Sequence, residues 1–187
     1  EKNARYMLSS CAVSCAKVNT PVEVKGSFYD IVESDISGQT VYFNRFMGKV
    51  VLVVNVASYC GYTAENYALF RSLKKFLPWG LEIVIVPCNQ FGKQEPGEPQ
   101  DIANYAFEQQ FEGLMLSKGD VNGENTRSSY QFLKQFKGNK DIGWYAYIWS
   151  LFIIYVYIVL YFWVCMYDKY CYIYATVSNI WLICEYI

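Results

Sequence analysis

The chain has 187 residues, with 16 Lys and Arg against 17 Asp and Glu and a formal net charge of -1. That length supports one domain with a sizeable core, and the balanced charge gives no electrostatic footing for nucleic acid. Histidine is absent, which excludes a Cys-His hydrolase and a Cys/His zinc site.

Seven cysteines are present, an odd number, and none forms a CxxC pair. A four-cysteine zinc site therefore lacks its paired short spacings, and no disulfide framework follows from the sequence. The chain begins at Glu1 rather than methionine, as in a fragment, a processed form or an incomplete gene model. Met7 to Val18 is only mildly apolar and is broken by Lys17. It makes a poor secretory signal and reads as an N-terminal extension over residues 1–26. The compartment, cytoplasmic or secreted, stays open.

In chain order, Phe28 to Val32 alternates weakly and predicts an edge strand, and Ser37-Gly38-Gln39 predicts a turn. Thr40 to Phe43 is the matching second arm of a hairpin. Val50 to Val56 is almost continuously β-branched and aliphatic, the pattern of a central strand covered on both faces. Ala64 to Phe76 then carries a helical stripe through Tyr67, Phe70 and Leu73, and Pro78-Trp79-Gly80 stops it. Leu81 to Val86 is a second buried strand, so strand, helix and strand form a parallel βαβ unit. Asn89 to Pro99 is a Gly-, Pro- and Gln-containing loop, Gln100 to Phe107 a short helix, Asp120 to Gly123 a turn, and Ser128 to Phe136 a further helix.

Composition changes sharply after Trp144, where ten of the 18 tyrosines lie. Tyr145 to Tyr167 carries no charge for 23 residues, long enough to span a bilayer as a helix. Three readings of residues 145–187 stand side by side. They are a membrane anchor with Trp149 and Trp163 near the interfaces, a different C-terminal domain, or translated non-coding sequence. The last is favoured by the abundance of residues with A/T-rich codons.

The chemistry concentrates where the two central strands end. In an open α/β sheet, sites form outside the carboxyl ends of the strands. Cys60 follows the first central strand and opens a helix, whose unpaired N–H groups favour a thiolate. The loop Cys88 to Glu95 follows the second strand and should be its neighbour. Gln94 is a plausible hydrogen-bond partner for Cys60, and Gln90 a less certain one. The functional reading is a peroxide-reducing thiolate that passes through a sulfenic acid. A buried, inert cysteine is the alternative.

Two long segments also resemble a known family. Asn55-Val56-Ala57-Ser58-Tyr59-Cys60-Gly61-Tyr62-Thr63, with Asn66-Tyr67 beyond it, resembles the active-site segment of the glutathione peroxidases. Pro87-Cys88-Asn89-Gln90-Phe91-Gly92-Lys93-Gln94-Glu95-Pro96-Gly97 resembles their second signature. The resemblance covers roughly Ser27 to Trp144 and implies a domain over residues 27–144. The implied fold is α/β and thioredoxin-like, a central sheet flanked by helices, with the family's C-terminal strands and final helix missing after residue 144.

The resemblance implies a thiol-dependent peroxidase that reduces hydrogen peroxide or organic and lipid hydroperoxides, in the response to oxidative stress. Cys60 is the implied peroxidatic residue. Gln94 is the implied hydrogen-bond partner of its thiolate, and Trp144 the tryptophan whose indole N–H faces the sulfur. The family's asparagine after that tryptophan is Tyr145 here. Thioredoxin-dependent members of that family carry a second cysteine in the helix after the glutamine loop; Asp101 to Phe111 contains none, so the resemblance favours glutathione over thioredoxin as reductant. Cys88 is a possible resolving cysteine, with a buried loop cysteine as the alternative. No metal or organic cofactor is implied beyond glutathione as reducing co-substrate, and the partners are hydroperoxide and thiol small molecules. The membrane enters only if the tail is an anchor. The short connection from Leu133 to Trp144 resembles monomeric, phospholipid-hydroperoxide relatives, whereas Tyr59-Cys60-Gly61 and Lys118 to Glu124 resemble secreted ones. The contrasting expectation is a catalytically impaired, membrane-attached product of an aberrant transcript or gene model.

Overall fold

The computed structural model describes residues 25–78, 80–135, 138–143, 175–177 and 180–183. Its centre is the strand run read from the sequence. Strand β3 (Val50–Val56) lies parallel to β4 (Leu81–Pro87), in register from Val50 opposite Leu81 to Val56 opposite Pro87. Helix α1 (Thr63–Phe76) makes the crossover between them. Lys74 near its end donates to the Leu81 carbonyl oxygen at 2.9 Å. Helix α2 (Pro99–Glu108) and the short strand β5 (Leu114–Met115) follow, with β5 parallel to β4. Helix α3 (Ser128–Gln135) comes next.

Alternation along the strands sends side chains to both faces, and both faces are covered. Val50, Leu52, Ile83 and Ile85 pack with Tyr67, Phe70 and Leu73 of α1 and with Ile102 and Ala106 of α2. Val51, Val53, Val84 and Val86 pack with Phe28, Phe43, Phe46 and with Tyr130 and Leu133 of α3. Helices on both faces of a sheet with a parallel βαβ centre make the fold α/β and thioredoxin-like, as expected.

Three features differ from the sequence reading. The predicted edge strand at Phe28 to Val32 is instead a 3-10 turn over Phe28–Asp30, and the strand β1 begins later, at Val32–Ser34. Ser27 caps the turn by accepting from the Tyr29 N–H, and the Asp30 carboxylate accepts from the Ser27 N–H. Such local side-chain bonds compete with strand pairing. Strand β1 then pairs antiparallel with β2 (Thr40–Tyr42), so the hairpin itself forms. The two-residue strand β5 carries too little pattern to be read from sequence.

The third difference concerns the tail. A thioredoxin-like sheet without the family's C-terminal strands would expose an edge. The structure instead places two short strands there, β6 (Ala175–Val177) and β7 (Ile180–Ile183). They pair antiparallel with each other, and β7 pairs antiparallel with Val51–Val54 of β3. The sheet order is β5-β4-β3-β7-β6. Unpaired backbone groups on a long central strand require a partner, and the chain supplies one from its own tail. Among the described residues no helix is long and apolar enough to cross a membrane. The apolar run 145–167 and most of the 1–26 extension lie outside those residues.

Candidate active site

Strands β3 and β4 end side by side, so the segments that follow them meet. Cys88 N–H donates to the Val56 carbonyl oxygen at 3.0 Å, which extends the pairing one step past β4. Beyond that point the two loops are fastened by mixed contacts. Tyr59 N–H donates to the Gln94 carbonyl oxygen at 3.0 Å. Ser58 N–H donates to Glu95 Oε2 at 2.8 Å. From the helix side, Thr63 Oγ1 donates to the Ala57 carbonyl oxygen at 2.6 Å.

Cys60 is a free, half-buried cysteine at the end of this fastened turn. Its carbonyl oxygen accepts from Thr63 N–H, the first residue of α1, at 3.1 Å. Its neighbours Tyr59 and Tyr62 are exposed aromatics. The nucleophile candidate therefore sits at a helix start, with solvent access and a backbone held by hydrogen bonds on both sides.

Gln94 is half-buried. Gly92 and Lys93 have φ of 61° and 55°, a left-handed pair that folds the loop back and brings Gln94 N–H to the Phe91 carbonyl oxygen at 3.3 Å. Glycine tolerates that conformation, whereas lysine holds it at a cost. The Gln94 side chain folds toward Gly92, where an added Cβ would meet Gln94 Cγ at 3.6 Å. The structure thus joins the Cys60 and Gln94 segments through the Tyr59 backbone, one residue from the sulfur.

Gln90 is committed elsewhere. Its Oε1 accepts from Val121 and Asn122 N–H, each at 2.9 Å, and its Nε2 donates to the Asn122 carbonyl oxygen at 2.8 Å. Asn122 in turn brackets Ile142, accepting from its N–H and donating to its carbonyl oxygen, both at 2.7 Å. This ladder fastens the segment two residues before Trp144 to the second signature loop. Trp144 itself and Tyr145 lie outside the described residues.

Cys88 has a different setting. It is fully buried on the face of the sheet that holds Val86 and Tyr130, opposite the face covered by α1. Its thiol donates to Gln90 Oε1 at 3.7 Å. Burial pushes its pKa up, against the lowering effect of nearby backbone N–H groups. Both neutral features disfavour attack by this sulfur.

Sequence reasoning named the loop through Glu95 but gave that residue no role. The structure buries it almost completely beneath the Cys60 turn, at 1% exposure. Burial pushes its pKa up, partly offset by the Ser58 hydrogen bond and by Lys118. Nothing in the run Gln94-Glu95-Pro96-Gly97 signals that burial. Among the described residues no cluster of His, Cys, Asp and Glu could hold a metal ion.

The sequence pattern described as "Glutathione peroxidase" matches residues 28–134. The chain belongs to the glutathione peroxidase family. A probable phospholipid hydroperoxide glutathione peroxidase of Nicotiana sylvestris is 45% identical over 114 residues, spanning 60% of this chain and 68% of that protein. Phospholipid hydroperoxide glutathione peroxidase 1, chloroplastic, of Arabidopsis thaliana is also 45% identical over 114 residues, spanning 59% of this chain but only 48% of that protein. Among solved structures, T. cruzi GPX1 is 27% identical with a TM-score of 0.48, covering 64% of this chain and 74% of that one. In this glutathione peroxidase family member the match takes in Cys60, Gln94 and Cys88 and stops before Trp144.

Proposed function

We propose that the protein is a thiol-dependent peroxidase in which Cys60 is the nucleophile. The observation that carries this reading is the half-exposed Cys60 at the start of α1, its turn fastened directly to the Gln94 loop. The relatives named as phospholipid hydroperoxide glutathione peroxidases support a hydroperoxide as substrate.

The Cys60 thiolate attacks the distal oxygen of the hydroperoxide. An S–O bond forms and the O–O bond breaks. The departing alkoxide takes a proton and leaves as an alcohol, or as water when the substrate is hydrogen peroxide. Cys60 is then a sulfenic acid. A first glutathione thiolate attacks this sulfur, and the hydroxyl leaves as water with a proton. A second glutathione attacks the glutathione sulfur of the mixed disulfide, releasing the Cys60 thiolate and glutathione disulfide. Gln94 hydrogen-bonds the Cys60 sulfur during the first step, and the Trp144 indole is the second donor. The burial of Cys88 on the opposite face supports glutathione rather than Cys88 as the resolving thiol. In this cycle the chain works as a monomer with small-molecule partners and needs no metal or organic cofactor. Removal of hydroperoxides places it in the response to oxidative stress.

The test is hydroperoxide consumption with glutathione by the full chain and by Cys60→Ser. Loss of activity in the variant supports the reading. Equal rates overturn it, and an inactive parent chain supports instead an impaired product that keeps the fold without the chemistry.

A further inference from the structure

Glu95 is buried at 1% exposure, yet one of its two carboxylate oxygens, Oε1, has no hydrogen-bond partner. Burying a carboxylate with an unsatisfied oxygen is costly. Its other oxygen makes one contact, from Ser58 N–H at 2.8 Å. Its backbone N–H is held by Asn89 Oδ1 at 2.9 Å, so the residue is fixed from both ends. Tyr67 of α1, Tyr105 of α2 and Lys118 after β5 are the titratable groups whose charge interactions involve it.

We propose that Glu95 is a positioning residue for Cys60, its carboxylate clamping the Ser58 N–H so that the Cys60 turn keeps a fixed place against the Gln94 loop. Adjacent residues of one loop then grip adjacent residues of the other. The Glu95 side chain takes Ser58, and the Gln94 backbone takes Tyr59. The Thr63 bonds to the Ala57 and Cys60 carbonyl oxygens tie the turn to α1, so without Glu95 the Tyr59 bond is one point of contact with the Gln94 loop. Two neighbouring bonds fix both its distance and its angle, and catalytic constellations depend on such small displacements. This inference rests on Cys60 being the nucleophile.

The test uses the full chain with Glu95→Ala and Glu95→Gln. Two readouts are followed: amide exchange at Ser58 and Tyr59, and the rate of Cys60 oxidation by hydrogen peroxide on its own peptide by mass spectrometry. Glu95→Ala removes the acceptor, so Ser58 exchange rises and Cys60 oxidation slows, each by about tenfold. Glu95→Gln keeps an acceptor in place and restores both to within about threefold of the parent. Unchanged Cys60 oxidation in Glu95→Ala, or Glu95→Gln as slow as Glu95→Ala, overturns the proposal. Should Glu95→Ala fail to fold, parent-chain exchange decides: a slowly exchanging Ser58 amide supports the clamp and a freely exchanging one overturns it. Amide exchange does not depend on turnover. Failure of the peroxidase reading, seen as equal consumption by Cys60→Ser, is therefore distinguishable from failure of the clamp.

Discussion

Cys60 and Cys88 each follow one of two adjacent parallel strands, yet their surroundings are opposite. Cys60 lies past β3 in a turn that opens α1, half-buried and flanked by the exposed Tyr59 and Tyr62. Cys88 lies one residue past β4 and continues its alternation into the core beside Val86 and Tyr130. What separates them is how soon the chain leaves the sheet. Cys88 still follows strand geometry, so the period of two dictates its face and its burial. Cys60 is four residues beyond the last strand residue, where backbone contacts to Gln94 and Glu95 dictate its position instead. Identical side chains after neighbouring strands thus become a half-exposed group at a helix start and a buried packing group.

The largest expected effect tests that division directly. Cys60→Ser should lower hydroperoxide consumption by about 10³-fold or more, as loss of a nucleophile does elsewhere. Steady-state rates with glutathione measure it, and a loss under about tenfold assigns the chemistry to another group. Next in size, on the proposed mechanism in which Gln94 donates to the reacting sulfur, Gln94→Ala should slow peroxide reduction by about 10- to 100-fold, while its half-buried side chain lies outside both core clusters and the melting temperature should stay nearly unchanged. Stopped-flow oxidation alongside calorimetry separates the two quantities.

Cys88→Ser reverses the pattern. Placing a hydroxyl in this buried setting should cost about 1–3 kcal/mol of stability, read by urea denaturation. Turnover with glutathione should remain within about twofold of the parent. A collapse of turnover with stability intact makes Cys88 a resolving thiol and removes the contrast.

The smallest effect concerns pH. Burial raises the Glu95 pKa in the folded protein, so the folded state holds this proton more tightly than the unfolded chain. Stability from that proton is fully present below the unfolded glutamate value of about 4.3 and is lost as pH rises toward the raised folded value. Glu95→Gln has no such proton to lose. Melting temperatures of parent and variant should therefore diverge in the variant's favour as pH rises from about 4. Parallel curves contradict the assignment.

Much of this arrangement was legible in the sequence, for identifiable reasons. The short, β-branched apolar runs Val50–Val56 and Leu81–Val86 carry the pattern of covered central strands, and a parallel pair brings the following loops together. That logic sets the Cys60 turn beside the Gln94 loop, where Tyr59 N–H meets the Gln94 carbonyl oxygen. The burial of Glu95 was not legible, because a charged residue in a Gly- and Pro-containing loop reads as exposed. Nor was the turn at Phe28–Asp30, where the Ser27 and Asp30 side chains outcompete a weak strand pattern. Strands β6 and β7 were hidden for another reason. A tail this rich in apolar residues gives little period to distinguish strand from helix, and its pairing depends on the distant β3.

The most direct measurement is to trap the first sulfenic acid. The full chain is treated with one equivalent of hydroperoxide in the presence of a sulfenic-acid-selective nucleophile such as dimedone, and each cysteine peptide is identified by mass spectrometry. The account predicts that Cys60 carries the adduct and Cys88 remains an unmodified thiol. Adduct on Cys88 with Cys60 unmodified would contradict it.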